Sequence, residues 1–237
     1  MSATLIGMLL DCSLAAVYWA RPKPIMFDPG KLGLHETTGP ISVNPRSVAR
    51  ALLVSALRND MEELITPASE AFGSDATYAE ICRSFHKDDT RLHLPDDFAL
   101  VPDIVLMPER SQLQVIEIGY GFVEKDARDA LDRLLTLMWV SRHGQSKRSV
   151  ELVAYVFAHE MSFGESIHET ERRFVDWIDA NYGPFNGIDR IGLPMRVRLT
   201  RTATMSPQDG TVLSAIELTS RPKGFAAFAI SCERDRN

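Results

Sequence analysis

Two carboxylates carry the strongest chemical signal in this sequence. Asp103 follows Pro102 inside Phe98–Met107, and Glu117 stands inside Leu113–Ile118, two short stretches that are otherwise largely apolar. Both read as strands, and Pro108 to Gln112 between them has the polar, proline-initiated chemistry of a turn. Adjacent strands of that length bring Asp103 and Glu117 within reach of each other. A lone acid in an apolar strand is costly to bury, and two acids together repel. A divalent cation relieves both problems, and Asp and Glu supply the hard oxygens that Mg²⁺ or Mn²⁺ takes. The plainer readings are an Asp103 that caps a turn and a Glu117 paired with Arg133 or Lys125.

The elements that must position this pair follow from periodicity. Thr4 to Ala20 is apolar and predicts a buried first helix; no basic residue precedes it and Asp11 interrupts it, against a signal peptide. Arg21 to Val43 reads as a long loop. Asn44-Pro45 opens a helix whose apolar stripe takes in Leu53, Leu57, Met61 and Leu64, and Pro67 stops it. Ser74-Asp75 is expected to cap a short helix through Phe85. After the two central strands, Glu124 to His143 predicts a long amphipathic helix ended by Gly144. Val150 to Ala158 is an apolar strand, and Ser166 to Tyr182 an amphipathic helix. Arg196 to Thr204, Val212 to Ser220 and Phe225 to Ser231 finish the chain as strand-like segments. A strand, a long helix and a second apolar strand imply a crossover unit on a buried sheet. The expected class is α/β (α+β): a central mixed sheet flanked by helices, with residues 1–95 as its helical part, 96–182 as core and 183–237 as a strand-rich extension.

Composition limits the alternatives. A net charge of −6 argues against a surface coated for non-specific nucleic-acid binding, while leaving room for a local basic groove. Three widely spaced cysteines, Cys12, Cys82 and Cys232, fit buried thiols in a reducing compartment. The expectation is an intracellular protein, neither secreted nor membrane-spanning. Gly119-Tyr120-Gly121 lacks the third glycine of a dinucleotide loop. His159-Glu160 and His168-Glu169 are read as surface residues rather than metal ligands.

Pro102-Asp103, a turn, and Glu117-Ile118-Gly119 ahead of an amphipathic helix together resemble the PD-(D/E)xK nuclease superfamily. More narrowly, Leu100–Ile104 joined to Val115–Gly119 resembles the cap-snatching endonuclease domain of the influenza-type polymerase acidic subunit, found in segmented negative-strand RNA viruses. The resemblance covers residues 97–158. It implies that Asp103, Glu117 and the Ile118 backbone carbonyl bind Mg²⁺ or Mn²⁺, and that an upstream helix adds a further ligand. Asp60 is the physical choice, since it borders the Leu57/Leu64 stripe, and His86 is its rival. Many members of the superfamily carry a lysine where this chain has Gly119. In the influenza-like variant the lysine lies on the following helix, where this chain has Asp132 beside Arg133. Arg133 can stabilise developing negative charge but is too basic to accept a proton, and Lys125 lies opposite the helix's apolar face.

Two functions stay open at this point. The first is a metal-dependent endonuclease acting on nucleic acid, with RNA favoured over DNA by the resemblance, in the cytoplasm or nucleus of a host cell. The second is a catalytically impaired module of the same fold, serving as scaffold or interaction domain of a larger polymerase.

Overall fold

Alternation organises the sheet. In the computed structural model, residues 5–13, 66–67, 76–86, 94–109, 111–160, 165–183, 198–205 and 225–234 are described. They form helix α1 (residues 5–13), strand β1 (Thr66–Pro67), helix α2 (Tyr78–Phe85), a 3-10 turn at Asp96–Ala99, β2 (Ile104–Glu109), β3 (Gln112–Tyr120), α3 (Glu124–His143), β4 (Ser149–Glu160), α4 (Ile167–Tyr182), β5 (Arg198–Met205) and β6 (Phe225–Glu233). The sheet order is β1-β2-β3-β4-β6-β5. Among the described strands only β3 and β4 run parallel, and α3 makes the crossover between them, as the sequence predicts. Every other described pairing is antiparallel. The fold is therefore mixed α/β.

Successive strand residues point to opposite faces, so each strand feeds two cores. Leu113, Val115, Val153, Phe157 and Phe228 meet α2, α3 and α4 on one side. Ile104, Leu106, Ile116, Ile118, Ala154, Val156 and Ala229 meet Leu5, Ile6, Leu9 and Leu10 of α1 on the other. The first helix is thus buried on one face, which is why its stretch is apolar. No described helix is long and apolar enough to cross a membrane.

Boundaries differ from expectation where local chemistry overrides composition. The strand expected from Phe98 begins only at Ile104: Phe98 is buried from the 3-10 turn, and Pro102 has no N–H to give a ladder. Conversely, β2 continues through Pro108 to Glu109, with a register irregularity between Leu106 and Glu109 that accommodates the proline. The expected five-residue turn thus loses Pro108 and Glu109 to β2 and Gln112 to β3. Helix α2 is capped by Thr77 in a reciprocal box with Glu80, not by Ser74-Asp75, which lie outside the described residues. Gly144 does end α3, but in extended conformation; a Cβ there would sit 2.6 Å from the Phe85 carbonyl oxygen, so glycine permits α2 and α3 to close on each other. The C-terminal strands are built into the sheet: β6 pairs with β4 from Leu152↔Glu233 to Glu160↔Phe225. The expected helix after Asn44 and strand at Val212 lie outside the described residues.

Candidate metal centre

The register of the β2–β3 hairpin sets the geometry. Ile104 pairs with Ile116, so the next position back puts Asp103 opposite Glu117 on the helix-covered face. Asp103 Oδ2 accepts the Ile118 N–H at 2.7 Å, which ties the residue before β2 to β3. Asp103 is 7% exposed and Glu117 3%. The two acids are thus neighbours, and both are buried.

Helix α2 reaches Glu117 from above. Tyr78, its first residue, donates its hydroxyl to Glu117 Oε1 at 2.7 Å. The Tyr78 N–H in turn donates to the Leu100 carbonyl at 2.9 Å, and its ring tilts against Phe98 at 5.7 Å. Burial, then the Glu117 charge and its hydrogen bond, hold the Tyr78 phenol well above its usual pKa. Asp103 pushes the same way, which places its carboxylate in electrostatic range of the same hydroxyl.

Helix α3 supplies the cation. Arg133 Nη2 lies 3.7 Å from Glu117 Oε1, a charge contact rather than a hydrogen bond, and Nη1 lies 3.3 Å from Asp97 Oδ2. Its guanidinium sits 5.8 Å from the centroid of the Tyr78 ring. Arg133 Nε is buried with no hydrogen-bond partner among the described residues. The plain sequence reading of Glu117, an acid paired with Arg133, is therefore realised, alongside the carboxylate pairing.

Of the other predicted residues, Lys125 and His86 stand apart from this centre. Lys125 projects into solvent, its side chain 84% exposed, with Asp129 at 4.0 Å; it starts the exposed face of α3 and does not join Glu117. His86 turns its Nε2 to the Val140 carbonyl at 3.2 Å, two turns along α3 from Arg133 and roughly 10 Å away at 1.5 Å per residue. Among the described residues no three His, Cys, Asp or Glu side chains come together, and His86 is not gathered with Asp103 and Glu117. Asp60 lies outside the described residues. Ile118 is placed beside the pair, with its N–H on Asp103. Asp132 accepts the Tyr182 hydroxyl at 3.1 Å and so faces α4, leaving Arg133 as the α3 residue at the site.

Gly119 has a structural cause. A Cβ at that position would collide with the Tyr155 hydroxyl and lie 2.6 Å from Tyr155 Cζ. In the parallel register Tyr155 is the partner of Glu117, and its phenol crosses over Gly119. The space a side chain at position 119 would take is filled by a tyrosine from β4. Sequence reasoning missed both tyrosines. Tyr78 was findable: Tyr78, Ile81, Cys82 and Phe85 form one buried stripe, and a buried tyrosine needs a partner for its hydroxyl. No local pattern announces Tyr155.

No protein-family model, no curated protein and no solved structure matches the chain.

The chemistry of the two carboxylates suits a hard divalent cation, which takes oxygen ligands in preference to nitrogen or sulfur. The described residues offer two such side chains and no third. The histidines of β4 and α4 stand elsewhere. His159 is wedged between Phe174 and Phe228 rather than at the surface, with Glu165 Oε1 at 3.5 Å and Arg173 Nη2 at 3.3 Å from its Nε2. His168 is exposed, 3.9 Å from Glu171.

Proposed function

We propose that this chain is a nuclease-like domain in which Asp103 and Glu117 hold Mg²⁺ or Mn²⁺ against a nucleic-acid phosphodiester. The observation that carries the reading is the placement of two buried carboxylates side by side, Asp103 just ahead of β2 and Glu117 in the neighbouring β3, where β3 runs out toward α3. RNA is favoured over DNA only by the likeness of the Pro-Asp and Ile-Glu-Ile-Gly segments to cap-snatching endonucleases. A bound cation would polarise the phosphate and lower the pKa of a coordinated water. The chain's own residues then divide the remaining work. Asp103 and Glu117 fix the cation, with one oxygen of each oriented by the Ile118 N–H and the Tyr78 hydroxyl. Arg133, permanently charged, can offset negative charge developing on the phosphoryl oxygens. Lys125 takes no part, given its position in solvent.

A second reading, an impaired module of a larger polymerase, draws on a specific observation. Glu117 already has a guanidinium at 3.7 Å, and a phenol stands over Gly119. Cleavage of labelled single-stranded RNA and DNA in Mn²⁺, with Asp103→Asn as control, separates the two. Metal-dependent cleavage that Asp103→Asn abolishes supports the enzyme. Intact substrate alongside measurable Mn²⁺ binding supports the module.

A further inference from the structure

We propose that Tyr78 is a positioning residue of the metal centre, its hydroxyl fixing the Glu117 carboxylate in the orientation that binds the cation. The inference rests on the reading of Asp103 and Glu117 as metal ligands. Four observations lead to it. The Tyr78 hydroxyl donates to Glu117 Oε1 at 2.7 Å, although the two residues are 39 apart in the chain. Tyr78 is fully buried, so its phenol cannot swing to solvent and must satisfy its O–H inside. Its backbone is pinned by the Leu100 carbonyl, two residues before the Pro102-Asp103 pair. The Arg133 guanidinium lies 3.7 Å from the same Glu117 oxygen and 5.8 Å from the Tyr78 ring centroid. One oxygen of Glu117 is thereby held by a hydroxyl donor from α2 and faced by a positive charge from α3. A donor that locks a ligating carboxylate reduces the ordering the cation must impose, and residues in that relation to a metal ligand typically change affinity by about 10–100-fold.

Mn²⁺ titration by calorimetry tests this on the whole chain. Tyr78→Phe keeps the buried ring and removes only the hydroxyl, while Phe98→Leu loosens the same ring and keeps the hydroxyl. Tyr78→Phe is expected to weaken Mn²⁺ binding about tenfold or more, and Phe98→Leu to bind within twofold of wild type. Wild-type affinity in Tyr78→Phe would overturn the role of Tyr78 and leave the metal centre standing. Equal losses in both variants would also overturn it, since packing alone would then be the cause. Absence of Mn²⁺ binding in the wild type would remove the metal centre, and this proposal with it.

Discussion

Tyr155 and Gly119 lie on neighbouring parallel strands, and the tyrosine's hydroxyl occupies the space a side chain at 119 would need. This contact explains why position 119 holds a glycine. A side chain there would have to displace a phenol that is 4% exposed and stacked at 5.5 Å on Phe157. Gly119→Ala is predicted to destabilise the protein by about 1–3 kcal/mol, as overpacking of a tight core does. The same substitution made on Tyr155→Val should cost measurably less. Chemical denaturation of the four proteins in the cycle checks it; additive losses would show that the two positions do not compete for space.

Arg133 and Glu117 have side chains only 12% and 4% exposed. Removing the guanidinium leaves a buried carboxylate without its described counter-charge, so Arg133→Met should cost about 3–5 kcal/mol. Neutralising the acid as well, in Arg133→Met/Glu117→Gln, should recover a large part of that loss. Urea unfolding at neutral pH measures both. A double variant no more stable than Arg133→Met would mean that shape, not charge, is what Arg133 contributes.

Cys82 is fully buried in α2, and desolvation pushes its thiol from 9.0 up to about 12. The folded state therefore holds this proton more tightly than the unfolded chain. Its contribution to stability is complete below about pH 9 and is lost as the pH rises from 9 toward 12. Cys82→Ala should flatten the alkaline end of a stability-against-pH curve. Native Cys82 should also resist iodoacetamide at pH 8 and react on denaturation, because the thiolate is the nucleophile. Rapid native labelling of Cys82 by mass spectrometry would contradict this.

The upstream ligand has its own test. His86 is engaged with the Val140 carbonyl and sits away from the acid pair, so His86→Ala should leave Mn²⁺ affinity within twofold. Asp60 borders an apolar stripe in sequence and remains the residue chosen on that ground. Asp60→Ala is expected to weaken Mn²⁺ binding about tenfold, as loss of a charged ligand should, and Glu63→Ala to change it little. Calorimetry that ranks His86→Ala or Glu63→Ala below Asp60→Ala would move the ligand elsewhere.

The fold was legible wherever one face of an element is apolar over several turns or strand residues. Helix α3 begins and ends at the residues its periodicity predicts, and β4 and α4 fall within a few positions. Boundaries failed at Pro102 and Pro108, where backbone hydrogen bonding rather than side-chain polarity decides, and at the α2 cap, where a Thr–Glu box outcompetes an earlier Ser-Asp. The acid pair was legible because carboxylates interrupt two apolar strands. Tyr155 was not, because its closeness to Gly119 depends on parallel register across a crossover of α3, which no short window of sequence records. Lys125 lies opposite the apolar face of α3 in sequence, and the helical phase that puts Arg133 inward leaves it in solvent.

The most direct test of the central claim is anomalous scattering from a crystal of the whole chain soaked in millimolar Mn²⁺. A manganese peak is expected between the carboxylates of Asp103 and Glu117, and none there in Asp103→Asn. Well-ordered carboxylates with no manganese between them, at a concentration that saturates ordinary Mn²⁺ enzymes, would contradict it and leave Glu117 as the buried partner of Arg133 and Tyr78.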